Sequence, residues 1–127
     1  MVESRLAQEW AKGLQNHQPV SVLKLRLLPG KWLVWGRVFL SNDDGDRQQA
    51  SVELRLMDGP QIDVWQGFLT AEKFTQSCIA LQGAIDVPGT DERPIAIELF
   101  CSTYKGRAQD IRLMAHPITN FGDFKIP

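Results

Sequence analysis

Four carboxylates stand inside strand-like runs of this sequence, Glu53, Asp63, Asp86 and Glu98, and paired carboxylates are common tools of general acid and base chemistry. A glycosidase would hold two of them roughly 5 to 10 Å apart across a cleft. A 127-residue sandwich with short loops offers little wall for such a cleft. Surface charges that discourage edge-to-edge strand pairing explain the four more simply. The two histidines are His17, near the N-terminus, and His116, just before Pro117. Neither has a metal-ligating residue two or four positions on, so a zinc site has no starting pair.

Asn42-Asp43-Asp44-Gly45-Asp46 offers several oxygens that could face Ca2+. The distal glutamate that such a loop needs is present only as Glu53, out of register and inside a strand, so a solvated hairpin turn is the better expectation. Thr90-Asp91-Glu92-Arg93 reads in the same way. Cys78 and Cys101 lie in apolar runs and are expected to be buried free thiols acting as small hydrophobes, with a disulfide between neighbouring strands as the alternative. The sequence contains no Cys-x-x-Cys, Gly-x-Ser-x-Gly, His-x-His or glycine-rich phosphate loop. We therefore expect no catalytic residue, metal or cofactor.

The elements that carry these residues are strands. Residues 1–19 stand apart: Leu6, Trp10 and Leu14 recur every four positions among Arg5, Gln8, Glu9 and Lys12, a pattern that predicts a short amphipathic helix or arm ending at Pro19. From Val20 the period becomes two. Leu23, Leu25 and Leu27 precede the Pro29-Gly30 turn, and a second strand runs from Lys31 to Leu40. Val52, Leu54 and Leu56 mark a third, and Ile62, Val64 and Phe68 share one side of a fourth. Ile79 to Val87 gives the fifth, Ile95 to Cys101 the sixth and Ile111 to Ala115 the seventh. Such strands, separated by Gly, Pro and Asp turns, predict an all-β, antiparallel sandwich of jelly-roll type over residues 20–119, with 120–127 as a tail.

One strand breaks the rule of one apolar and one polar face. Trp32, Val34, Gly36, Val38 and Leu40 share one side, while Leu33, Trp35, Arg37 and Phe39 share the other. Phe100, Met114 and Ile118 repeat the excess, and together these outward residues predict an interface. A cover supplied by the N-terminal segment or by the tail with Phe121 and Phe124 is the first alternative. Stacking of a sugar or peptide on exposed Trp35, Trp65 or Tyr104 is the second. Arg37, within this face, is a candidate for an inter-subunit ion pair with Asp110 or Asp63.

The ordered strings Leu28-Pro29-Gly30-Lys31-Trp32-Leu33-Val34-Trp35-Gly36-Arg37-Val38, Val52 to Leu56, Ile79 to Ile85 and Ile95 to Cys101 resemble the jelly-roll domains similar to tumour necrosis factor and the complement globular heads, in a bacterial or phage-type member. The resemblance covers residues 20 to 118 and rests on pattern. It implies three subunits packed about an axis through aromatic faces, binding a protein or glycan receptor at loops or flanks. Some bacterial and phage-type chains of this kind pair a third-strand cysteine with one near Cys101; here Leu54 occupies that region.

Fourteen basic against fifteen acidic residues leave a formal charge of -1 with no basic run, which argues against nucleic acid as a partner. No stretch approaches the ~20 apolar residues of a membrane helix and the N-terminus lacks the pattern of a secretory signal, so a soluble compartment is expected at synthesis.

Overall fold

The computed structural model describes residues 5–72, 75–90 and 94–118. They form eight strands: β1 Arg5–Gln15, β2 Val20–Leu27, β3 Gly30–Asn42, β4 Gln48–Leu56, β5 Gln61–Leu69, β6 Gln76–Val87, β7 Ile95–Thr103 and β8 Lys105–Ile118. Two four-stranded antiparallel sheets result, sheet I in the order β1-β8-β3-β6 and sheet II in the order β2-β7-β4-β5. First pairs with last, second with seventh, third with sixth and fourth with fifth, as in a long hairpin rolled into a barrel-like sandwich. This is the jelly roll that the strand periodicity predicts.

Period-two burial explains the layers. In β3, Trp32, Val34, Val38 and Leu40 are all buried, and in β4 so are Val52, Leu54 and Leu56. They meet Ile97, Leu99, Ile111 and Leu113 in the core between the sheets. The Trp32 indole N–H would be costly if left unpaired there; it donates to the Leu28 carbonyl at 2.8 Å. Gly36 points inward, where a Cβ would stand 3.2 Å from methyls of both Leu113 and Leu99.

The expected N-terminal helix is instead strand β1, and no helix occurs among the described residues. A four-residue repeat fits a strand as well as a helix, because four is a multiple of two. The deciding term is non-local: β1 pairs along its length with β8, from Arg5 opposite Ala115 to Gln15 opposite Lys105. Asp110, in the left-handed region at φ 45°, bulges β8. Side chains therefore change faces on either side of it: Leu14 is buried, whereas Leu6 and Trp10 are exposed. Asn16 and His17 both have positive φ and turn the chain from β1 into β2.

A second bulge, in β5 at the Leu54/Arg55 register shift, separates Ile62 from Val64 and Phe68. Ile62 packs toward the core while Val64 and Phe68 are exposed, which corrects the expectation that the three share a side.

The loop after β3 is also different from a simple solvated turn. Asn42 is fully buried; its amide nitrogen donates to the carbonyls of Asp46 and Thr70 at 2.6 Å each. Its Oδ1 accepts from the backbone N–H of Asp44, at 2.9 Å, and from Gln48 Nε2, at 2.6 Å. Gln48 Nε2 also donates to the Lys105 carbonyl at 2.8 Å, while its Oε1 accepts from the Thr103 hydroxyl and, at 2.8 Å, from the Lys105 N–H. A network of this kind, saturated on every polar atom, fixes three connections to one another. Its donors and acceptors serve the protein itself, and no cluster of three or more metal-ligating side chains occurs among the described residues. Asp91, Glu92 and Arg93 of the second acidic turn, and Phe121 and Phe124 of the tail, lie outside the described residues.

Candidate interaction surface

The outer face of sheet I gathers six of the seven side chains expected at an interface. Directly opposed residues of antiparallel strands point to the same face, so the pairs Lys31/Ile118, Leu33/His116, Trp35/Met114 and Arg37/Arg112 project outward together from β3 and β8. β1 adds Leu6 opposite Met114, giving an apolar row Leu6–Met114–Trp35 across three strands. Leu6 is 59% and Met114 48% exposed. Leu33, Trp35, Arg37, Phe39 and Ile118 are half-buried against their neighbours, so the paired tryptophans of β3 divide between the core (Trp32) and this outer surface (Trp35). On β6, Ala84, Ala80 and Cys78 continue the surface opposite Leu33, Arg37 and Phe39. Trp10, 77% exposed on edge strand β1, stands at its margin.

Phe100 does not belong to this surface. It projects from β7 between Ser21 and Glu53 on the outer face of sheet II. Alternation along β7 identifies its side as outward, but which sheet a strand joins depends on pairing that the sequence does not display. Leu6 and Trp10 are the converse case: a helical reading of β1 hides residues that the strand presents.

Charge enters the surface as a bonded pair. Arg37 donates to Asp110 Oδ2 at 2.7 Å within one chain, and its guanidinium lies 5.3 Å from the Phe39 ring centroid. The pair is thus intramolecular, set by the β8 bulge that swings Asp110 toward β3, which corrects the expectation of a pair between subunits. Asp110 Oδ1 also faces Arg112 Nε at 3.4 Å. The Arg37 Nε is buried and without a hydrogen-bond partner among the described residues.

The expected stacking residues are dispersed. Trp65 is half-buried and packs toward the core over Gly67, where a Cβ would strike the indole. Tyr104 is 47% exposed at the β7–β8 turn, its ring centroid 5.8 Å from that of His17. The strand carboxylates are likewise separated into local tasks. Asp63 accepts from the backbone N–H of Gln82 at 3.0 Å and so covers an edge position of β6. Glu98 is buried and accepts from the Ser21 hydroxyl at 2.8 Å, and Glu53 lies 3.4 Å from Arg55.

The two cysteines are free and differ in environment. Cys101 is buried, and burial pushes its thiol up from 9.0 to about 12. Cys78 is exposed, contrary to the expectation of two buried thiols; its neighbour Ile79 points inward, so alternation sends Cys78 out. A thiol reagent near neutral pH is expected to label one cysteine rapidly and the second only on unfolding, and Cys78→Ser should abolish the rapid phase. Between about pH 9 and 12 the unfolded chain releases the Cys101 proton while the folded chain retains it. Stability should therefore fall as pH rises through that window, and fall less in Cys101→Val. Equal slopes for the two proteins in denaturant titrations would contradict this.

No protein-family model and no curated protein matches the sequence. Solved structures do match in fold. A chain of infectious bursal disease virus, Gx strain, superposes with a TM-score of 0.58 at 11% identity over 94% of this chain and 34% of its own length. A chain of the T13 particle of the same virus gives 0.59 at 15% identity, over 90% of this chain and 31% of that one. The globular domain of zebrafish complement 1qA protein gives 0.53 at 7% identity, over 94% and 99% respectively. This chain thus spans about a third of the viral chains and the whole of the complement domain. At these identities the likeness establishes the jelly-roll fold.

Proposed function

We propose that this chain is a non-catalytic module that associates with copies of itself through the outer face of sheet I, three around an axis, and serves as a binding or structural knob, as on a fibre or particle surface. The observation that carries the reading is the Leu6–Met114–Trp35 row, an apolar band across three strands flanked by Leu33, Phe39 and Ile118. Exposed apolar surface of this kind is stabilised by burial at about 25 cal/mol per Å2, and a contiguous patch on a folded domain usually marks an interface. The likeness to a chain of a virus particle and to a complement globular domain supports a module that works in assemblies. The rival reading, a single chain stacking sugars on Trp35, Trp65 or Tyr104, has less support, because Trp35 and Trp65 are half-buried and Tyr104 stands apart from both at the β7–β8 turn.

Light scattering across micromolar concentrations tests the proposal. A mass near three times 14.3 kDa is expected. In the assembled form Cys78, opposite Phe39 on this face, should also react more slowly with thiol reagents than in a dissociated variant. A mass of 14.3 kDa throughout would remove the proposal.

A further inference from the structure

We infer that the opposite face of the molecule carries a binding groove for an uncharged carbohydrate, on the outer side of sheet II beside the β1–β2 turn. The groove is lined by His17, Gln49, Ser51, Gln66, Phe68 and Ser102. Its floor is a cross-strand row, Gln66 on β5, Ser51 on β4 and Ser102 on β7, each directly opposite the next. At about 4.8 Å between strands the row spans roughly 10 Å. A second row sets Phe68 opposite Gln49. The turn supplies the other end, because the backbone N–H of His17 donates to the Thr103 carbonyl at 3.0 Å and so holds the imidazole beside Tyr104.

Two features select the ligand class. First, the side chains of Gln49, Ser51, Gln66 and Ser102 make no hydrogen bond to any described residue. This contrasts with Gln48 and Thr103, which sit one position away in the chain and are saturated inside the domain. Amides and hydroxyls both donate and accept, which matches the vicinal hydroxyls of a sugar, each of which also does both. Second, the floor carries no charged side chain, while Phe68, 51% exposed, stands at one wall as an aromatic surface for the apolar face of a pyranose ring. Arg47, the cation at this wall, lies 3.9 Å from the Phe68 ring centroid, over one face of the ring. The groove uses none of the tryptophans and none of sheet I, so it is compatible with any state of assembly.

A printed array of neutral and sialylated oligosaccharides, followed by nuclear magnetic resonance titration of the 15N-labelled chain with a retained glycan, tests the inference. Retention of a neutral oligosaccharide is expected, with shift changes concentrated at Ser51, Gln66, Phe68 and Ser102. Gln66→Ala and Phe68→Ser should each weaken binding by about tenfold while leaving the solution mass unchanged. Retention of no glycan would overturn it. So would shifts centred on Trp35 and Met114, or retention of sialylated glycans alone with loss in Arg47→Ala. Because the groove and the sheet I surface lie on opposite faces, a monomeric mass would count against assembly without touching this result.

Discussion

Trp35→Glu is expected to convert the proposed assembly into single 14.3 kDa chains while leaving each chain folded. Trp35 is the aromatic member at the β3 end of the apolar row and projects away from the core, so its replacement disturbs little within the domain. In the proposed assembly the same position is covered by a neighbouring copy, where truncating a buried aromatic costs about 2 to 4 kcal/mol. An unpaired carboxylate in that setting adds a desolvation cost of several kcal/mol. Together these weaken association by about a thousandfold or more, since about 4 kcal/mol corresponds to three powers of ten. Light scattering and circular dichroism on the same sample separate the two effects. Retention of the assembled mass by Trp35→Glu would mean that copies meet elsewhere, and an unfolded variant is controlled by Met114→Glu, whose side chain is 48% exposed on the same row.

The largest effect on stability is expected at Asn42→Ala. The substitution removes two donated and three accepted hydrogen bonds at a fully buried side chain, and leaves the carbonyls of Asp46 and Thr70 unpaired. Each of these five hydrogen bonds contributes about 0.5 to 1.5 kcal/mol, so a loss of about 3 to 5 kcal/mol is expected. For a domain of this size that corresponds to a fall in Tm of at least about 10 °C. Calorimetry checks the figure; a loss below about 1 kcal/mol would mean that the three connections are held by other contacts. Ser51→Ala, on the solvent face of adjacent β4, is the matched control with an expected change within about 0.5 kcal/mol.

The strands β2 to β8 were readable because their inward residues alternate with charges and end at Gly, Pro or Asp turns, as in Val52-Glu53-Leu54-Arg55-Leu56. The excess of apolar groups on β3 was readable by the same logic, and it led to the outer face of sheet I. β1 was not readable, because its four-residue repeat satisfies two periods and the residue that decides between them, its partner on β8, lies about a hundred positions away. Alternation along β7 gives Phe100 as outward but not its sheet, and the pairing puts it on sheet II, away from Trp35. Asn42 and Gln48 were missed for a different reason. Polar residues in a Gly- and Asp-rich loop read as solvated, and only a three-dimensional closure of loops turns them into interior groups. The groove on sheet II was invisible for the same cause: Gln66, Ser51 and Ser102 carry no signal until three strands bring them into one row.

The pairing of first strand with last has a kinetic corollary. Arg5 meets Ala115, so sheet I cannot be completed until nearly the whole described chain is in place. The adjacent pair β4 and β5, joined by a short turn, can form early, and each outer pair must then close a longer loop at greater entropic cost. Folding should therefore proceed from the middle of the chain outward, in milliseconds to seconds, as is usual for topologies dominated by distant contacts. On that schedule β1 docks late, and Leu6, which it contributes to the apolar row, completes the proposed self-association surface only as the barrel closes.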